Sequence, residues 1–600
     1  MLHSKPIQRV VSTLRGAPCQ TVAALLCVCY GIALIMNVEL EGDGSWFWYA
    51  KLIHQGVRLY ADLNFPQQPL FVLETSAWMQ LVGQRCIPYE MLAVLHVLTL
   101  CGGLLLVLRE SRWPDWQKAI ILFASFVLTS YSFLYRFDDF HVVNDILVVY
   151  SLWLLLLLAR EDQDQRQMGL VAALGVLSGL AFTNRLNDGG ALLAMVFVCA
   201  PFVARRRKAM MAGLFVVAAA LAALLIVRLT GDSFRDYLLN AILHAASAKG
   251  GTSTVLHGPI AAVKDNLSRL LQGRRTVVLW MAVLAAVGVA AQRYGNKGDR
   301  YVVAVELLFA GVSLGLLSRA SRGAFLNGEL IDLLSTIVQL LVYVLSVVVA
   351  FRYIRSRLGH GWPPWDARAV LILVLVGQLM SFATSQVNGS SNSYQTLALL
   401  LLLVPVWQPF GAQARWANPT CVALALLLGV TGLAHKIRTP YTWGGNMPPM
   451  FQSRQWYHHQ VYGPMYMDRD LLNFVEPICA EIRQGNDRPE LLTLPYSYPN
   501  YFCAVPPWKG YVQTWFDTTQ PETIRRLMGQ LDTDPPQWIL YQRQMEVIRI
   551  HEVVFGGGHP MPQRHLDEMI LQKIASGKWQ VVDERHYLAG DGWYLIRTHP

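Results

Sequence analysis

The chain has 600 residues, 54% of them hydrophobic and only 15% charged, against roughly 25% charged in soluble globular proteins. This excludes a soluble enzyme, a disordered chain, a collagen and a coiled coil, and places the protein in a membrane. The net charge of +10 does not point to nucleic acid, because Lys and Arg sit mostly in short turns between apolar runs, where they set membrane topology.

Taken in chain order, the apolar runs predict about thirteen transmembrane helices. They are 20–38, 91–108, 119–135, 142–159, 169–184, 189–203, 209–228, 276–292, 301–317, 330–350, 367–385, 395–407 and 419–435. Short basic loops resist translocation, so Lys5, Arg9 and Arg15 keep the N-terminus in the cytoplasm. Cytoplasmic turns follow at Arg109/Arg112/Lys118, Arg205 to Lys208, Arg293/Lys297/Arg300 and Arg352/Arg355/Arg357. The external face receives loops at 39–90, 136–141 and 229–275 and everything after 436. No small-residue cleavage site follows the first run, which reads as an uncleaved span.

After 436 the composition shifts from Leu/Val/Ala runs to Pro, Trp, Tyr and charged residues. The expected division is a transmembrane domain over 1–436 and a soluble α/β domain over 437–600. "PETIRRLMGQL" (521–531) has helical apolar spacing and "PPQWILYQRQ" (535–544) reads as a strand; "LDEMILQKIASG" and "WQVVDERHYLAGDGWYLIRT" repeat that order. Cys479 and Cys503 are the only cysteines in this stretch, and an extracytoplasmic compartment permits them to pair.

The first external loop carries the chemistry. Glu41 and Asp43 stand just outside the first span. Trp46, Phe47, Tyr49, Ala50 and Ile53 then make an amphipathic helix suited to the membrane interface, and Leu70, Leu73, Ala77, Trp78 and Leu81 line a second one over 69–82. Here the chain resembles the GT-C polyprenyl-phosphate-sugar-dependent glycosyltransferases, which include the protein O-mannosyltransferases and the aminoarabinose transferase acting on lipid A. Family members have a span, an acidic pair, an A-x-x-I/L-x-x-G-x-x-x-Y-x-D stretch, a Pro-Leu pair and a helix ending in Gly. Those elements stand here as Glu41/Asp43, "AKLIHQGVRLYAD" (50–62), Pro69-Leu70 and Gly83. The second acidic site is matched by Asp138 and Asp139 in "YRFDDFHVVND", and "GVLSGLAFTNRLNDGGALL" (175–193) is similar to the fifth span and its exit. The usual adjacent acids are spaced here as Glu-Gly-Asp; by distance to Ala50 and Gly56, Asp43 is the better match to the catalytic acid and Glu41 the second.

The resemblance implies an inverting hexosyl- or pentosyltransferase that uses a polyprenyl-phosphate sugar, with a lipid, a glycan or a pilin-like protein as acceptor. Such a reaction requires a carboxylate to take the acceptor's proton and cations to hold the departing phosphate. Asp43 is the candidate base. Lys249, Arg319, Arg322 and Arg185 are the candidate phosphate ligands. Asp138 and Asp139 could orient the acceptor, share a divalent cation (Mg or Mn) with Asp43, or act as acid and base. The cellular expectation is a multi-pass protein of the bacterial inner membrane, N-terminus cytoplasmic and tail periplasmic, in contact with membrane lipids.

Blander readings compete. Asp145, Glu306 and Asp332 in or near spans are explained by interhelical hydrogen bonds, and Arg319, Arg322 and Arg185 by snorkelling. His458 and His459 lack partners at metal-ligand spacing, and "HEVVF" (551–555) lacks the second His of a metalloprotease helix. The functional rival is a transporter or lipid-linked-sugar flippase, which calls for midplane acids on broken, repeated helices; the acids here cluster at one face.

Overall fold

The computed structural model describes residues 17–38, 44–63, 65, 67–111, 113–131, 135–161, 163–203, 208–244, 372, 376, 417–441, 448–484, 488–515, 519–554, 558–586 and 592–599. The expected spans at 276–292, 301–317, 330–350 and 395–407, and nearly all of 367–385, lie outside them.

The membrane portion is helical. Helix α1 (Pro18–Asn37) opens it, followed by α2 (Ser45–His54) and α3 (Leu70–Val82) in the first loop. Then come α4 (Cys86–Arg109), α5 (Asp115–Thr129), α6 (Phe140–Arg160), α7 (Asp164–Asn184), α8 (Leu186–Val203) and α9 (Lys208–Leu229). A short α10 (Phe234–Tyr237) runs into a π-helical turn, Leu238–His244, and α11 (Ala417–Arg438) packs on α5. Among the described residues, five helices are long and apolar enough to cross a bilayer: Pro18–Asn37, Cys86–Arg109, Phe140–Arg160, Asp164–Asn184 and Ala209–Leu229. Lipid gives helices no hydrophobic reason to associate, so close approach has to come from small residues. Gly175 and Gly179 of α7 provide it: a Cβ there would stand 2.6 Å from the Phe215 carbonyl and 2.3 Å from that of Ala219 on α9.

Helix α5 departs from the expected 119–135 span. It starts after Pro114 and stops at Thr129, because Pro fits the start of a helix while Ser130 turns the chain and bonds Tyr30 at 2.9 Å. Residues 135–139 are thereby freed for a loop. Helix α2 also differs from an amphipathic surface helix: Ser45 through Ala50 are all buried. Helix α3 keeps the expected two-faced character. Phe71, Val72, Thr75, Ser76 and Met79 are buried while Ala77 and Leu81 stay exposed.

The segment after 450 begins with an antiparallel hairpin, β1 (Arg454–His459) and β2 (Gly463–Asp468), followed by α12 (Arg469–Arg483). Strands β3 (Leu491–Leu494), β4 (Trp538–Gln542), β5 (Gln580–Arg585) and β6 (Trp593–Arg597) form a four-stranded sheet in the order β3-β4-β6-β5. The β3–β4 pair is parallel, and β6 is antiparallel to both neighbours. Between β3 and β4 lie α13 (Tyr498–Cys503) and α14 (Pro521–Thr533); α15 (Met545–Val554) and α16 (Pro562–Ala575) precede β5. Successive strand residues face opposite sides. Leu492, Leu494, Ile539 and Ile596 therefore pack with Ile524, Leu527 and Ile570 of α14 and α16. The alternate residues Leu491, Trp538, Leu540 and Leu595 join the core that continues into the membrane helices. Cys479 of α12 and Cys503 of α13 are joined in a disulfide.

Candidate functional site

Helix ends and the segment after 450 meet at one end of the bundle, and α2 is the element they share. Gly44, its first cap, lies so close to Tyr498 that a Cβ would stand 2.8 Å from that residue's Cα. One side of α2 meets the tail: Phe47 packs edge-on against Tyr462 at 5.4 Å and Tyr501 at 4.6 Å. The other side meets the membrane helices. Trp46 contacts Phe71 of α3 at 5.3 Å and Phe140 of α6 at 5.5 Å. The residues following the first acidic motif are thus packed on the residues following the second.

The second motif is held by two unlike arrangements. Asp138 takes both of its oxygens to Arg136, accepting from Nε at 2.8 Å and from Nη2. Burial disfavours the Arg136 charge, and the Asp138 carboxylate more than offsets this, holding the guanidinium above its ordinary range. Asp139 is the N-cap of α6: it accepts the His141 backbone N–H at 2.7 Å and bonds the His141 ring Nδ1 at 2.8 Å. A capping carboxylate satisfies one of the free amides at a helix start. Asp139 therefore has a structural task, and Asp138 already has a cation.

The exit of α7 completes this side. Asn184 donates to the Phe140 carbonyl at 2.7 Å. Arg185 stands 5.9 Å from the Phe140 ring and bonds the buried Asp188 at 2.7 Å. One Asp188 oxygen and the Asn144 amide are buried with no hydrogen-bond partner among the described residues. Of the four expected phosphate ligands, Arg185 is the one within the described residues, and the structure brings it to Phe140 beside Asp139 and His141.

Sequence reasoning passed over Glu74, His96 and Lys51. His96 on α4 lies between the Phe137 carbonyl, 2.8 Å from Nδ1, and Glu74 of α3, 3.0 Å from Nε2. A carbonyl can only accept, so Nδ1 carries a hydrogen. The pair ties α3 to the residue before Asp138. Its signal in the sequence was a histidine inside an apolar run, which demands a partner. Lys51 lies 4.9 Å from the Trp48 ring and is half-buried, and burial pushes its ammonium below the ordinary lysine value. Residues 232–240 tie the loop after α2 to the tail. Asp232 accepts from the backbone of Tyr60 at 3.1 Å and Ala61 at 2.9 Å. Tyr237 donates to Gln68 at 2.6 Å, and Asn240 is held between the Tyr60 carbonyl at 3.2 Å and Gln520 at 3.0 Å.

Glu41, Asp43, Lys249, Arg319 and Arg322 lie outside the described residues. Among the described residues no group of three His, Cys, Asp or Glu side chains is placed to hold a metal ion.

No protein-family model matches the sequence, and no curated protein matches it. Among solved structures, the chain is similar to the Archaeoglobus fulgidus oligosaccharyltransferase in complex with zinc and sulfate, at 13% identity and a TM-score of 0.43, over 95% of this chain and 72% of that one. It is also similar to ArnT from Cupriavidus metallidurans bound to undecaprenyl phosphate, at 14% identity and a TM-score of 0.42, over 98% of both chains. The apo form of that ArnT is similar at 13% identity and a TM-score of 0.38, over 99% of this chain and 98% of that one.

Proposed function

We propose that the chain is a membrane glycosyltransferase that moves a sugar from a polyprenyl-phosphate carrier to a lipid, glycan or protein acceptor at the periplasmic face. The supporting observation is the convergence on α2. Phe140, which follows Asp138 and Asp139, and the tail pack on the helix that follows Glu41 and Asp43; Arg185 lies against Phe140, and Asn240 bonds Tyr60 in the loop after that helix. Acids and a cation gathered at one end of a helical bundle suit a water-soluble or headgroup-level reaction rather than midplane transport.

In this reading the acceptor hydroxyl oxygen attacks the anomeric carbon. The bond from that carbon to the phosphate oxygen breaks with its electron pair on the phosphate, giving polyprenyl phosphate and an inverted glycoside. Asp43, or Glu41 beside it, takes the hydroxyl proton. Arg185 and the cationic residues Lys249, Arg319 and Arg322 neutralise the phosphate. Asp138 and Asp139 shape the acceptor side, each oriented by a neighbouring base. The division into a transmembrane domain over 1–436 and a periplasmic domain over 437–600 belongs to the same reading, with the tail positioned to select acceptors.

The test is release of free polyprenyl phosphate from a panel of radiolabelled polyprenyl-phosphate sugars, with native membrane extract as acceptor. Wild-type turnover that collapses in Asp43→Asn with donor binding retained is the expected result. Turnover unchanged in Asp43→Asn keeps the enzyme and moves the base to Glu41 or to Asp138/Asp139. The absence of both turnover and binding, for every donor of the panel, overturns the proposal.

A further inference from the structure

Large aromatic side chains are exposed where the tail meets the membrane helices. The Phe451 amide donates to the Asn37 side chain at the end of α1 at 2.5 Å, and its neighbour Met450 donates to the Ile437 carbonyl on α11 at 2.8 Å. Arg454, the first residue of β1, donates to the final α1 carbonyls, Met36 at 3.1 Å and Asn37 at 2.7 Å. The hairpin thus begins level with the ends of two bundle helices. Its inner face, Met465, Met467 and His459, is buried. Its outer face is not: Trp456, paired with Tyr466 across the strands at 5.3 Å, is 62% exposed, and Val461 at the turn is 54% exposed.

Phe451 adds an independent sign. Its φ is +64°, a region that a bulky L-residue rarely enters and that Gly or Asn would occupy without strain. The side chain so directed is 58% exposed, so the strain is not compensated by burial in the protein. Below it, α1 presents Val22, Leu25 and Leu26 outward, the composition of a lipid-facing stripe.

We propose that the outer face of the β1–β2 hairpin, with Phe451, Trp456 and Tyr466, lies in the headgroup region of the bilayer and fixes the height of the tail above the membrane. The occupant is the lipid surface. Trp and Tyr favour that layer because an apolar ring and a polar N–H or O–H are both satisfied there. The patch begins where Arg454 and Phe451 bind the last residues of α1, a helix long and apolar enough to cross a bilayer, which sets it at the level where such a helix leaves the membrane. A lipid contact here holds the start of the tail at the ends of α1 and α11.

The test uses the full chain in nanodiscs of phosphatidylethanolamine and phosphatidylglycerol, with a photoreactive residue introduced as Trp456→p-benzoylphenylalanine. Leu221→p-benzoylphenylalanine, at a 63% exposed position of α9, serves as the lipid-facing reference. After illumination, peptide mass spectrometry is expected to find phospholipid on residue 456 at about the yield seen at 221. Phe451→p-benzoylphenylalanine provides the same readout should the first variant fold poorly. Lipid adduct at 221 with none at 456 or 451 overturns the proposal. Crosslinking of 456 to a second copy of the chain or to another protein also overturns it and makes the patch a protein contact.

Discussion

The indole of Trp46 meets the Phe140 ring with centroids 5.5 Å apart and planes inclined at 66°. This contact joins two loops that are about a hundred residues apart in the chain, because Trp46 follows the Glu41/Asp43 motif and Phe140 follows Asp138/Asp139. Edge-on aromatic pairs add about 0.5–1.5 kcal/mol beyond the area they bury.

Trp46→Ala is expected to cost about 3–5 kcal/mol of stability, the range for deleting a buried indole. Trp46→Phe retains an aromatic partner for Phe140 and should lose a smaller part of that. Thermal unfolding of the detergent-solubilised protein measures both. Equal losses in the two variants would show that the contact with Phe140 contributes nothing specific.

The Arg136–Asp138 pair predicts an asymmetry. Arg136 is buried whereas Asp138 is partly exposed. Asp138→Ala leaves a buried guanidinium without its carboxylate and should cost about 3–5 kcal/mol, as expected when one member of a buried pair is removed. Arg136→Ala leaves a carboxylate that water can reach, and should cost less. Melting temperatures of the two variants rank them, and the opposite ranking would mean that Asp138, not Arg136, is the desolvated partner.

His459 gives the tail a pH dependence. Its Nε2 donates to the Phe502 carbonyl at 2.8 Å while Nδ1 accepts the backbone N–H groups of Val461 at 3.1 Å and Tyr462 at 3.2 Å. The ring must therefore be neutral, and burial pushes its pKa below the ordinary histidine value. A group with a lowered folded pKa is protonated more readily in the unfolded chain. Stability is then fully present above about pH 6.5 and declines as the pH falls through the folded value. Hydrogen exchange at the Val461 and Tyr462 amides, corrected for intrinsic rates, should quicken from pH 7 to pH 5. In His459→Gln the dependence should vanish, and exchange that stays flat in the wild type would remove His459 as the sensor.

The Cys479–Cys503 disulfide closes a loop with a sequence separation of 24, so its loss should destabilise the tail by ~3 kcal/mol through the entropy of the unfolded chain. The double variant Cys479→Ser/Cys503→Ser should melt lower than the wild type, and a reducing agent should lower the wild type to the same point. A reducing agent that also lowers the double variant would show that its effect lies elsewhere.

The five long apolar helices among the described residues were legible in the sequence because a bilayer accepts only long apolar runs with satisfied backbones. The helix-then-strand order of 521–598 was legible because its apolar spacing changes between helical and strand periods. The hairpin at 454–468 was not: Trp456, Tyr457 and two histidines carry no alternation that separates strand from loop. Helix α2 was readable as a helix, but its neighbours were not, since a Trp/Phe-rich face suits both a membrane surface and a protein core.

What the sequence by itself determined is membership of the membrane, the alternation of basic turns and the presence of acids beside the helix ends, all properties of local composition. What only the tertiary structure decided is what each group is paired with. Asp138 and Asp139 are adjacent in the chain, yet one is held by a buried guanidinium and the other caps a helix; Glu74 and His96 are distant in the chain and bonded. Partner choice depends on which helix ends pack together, and that is set by long-range contacts such as Trp46 on Phe140, to which no local pattern of residues refers.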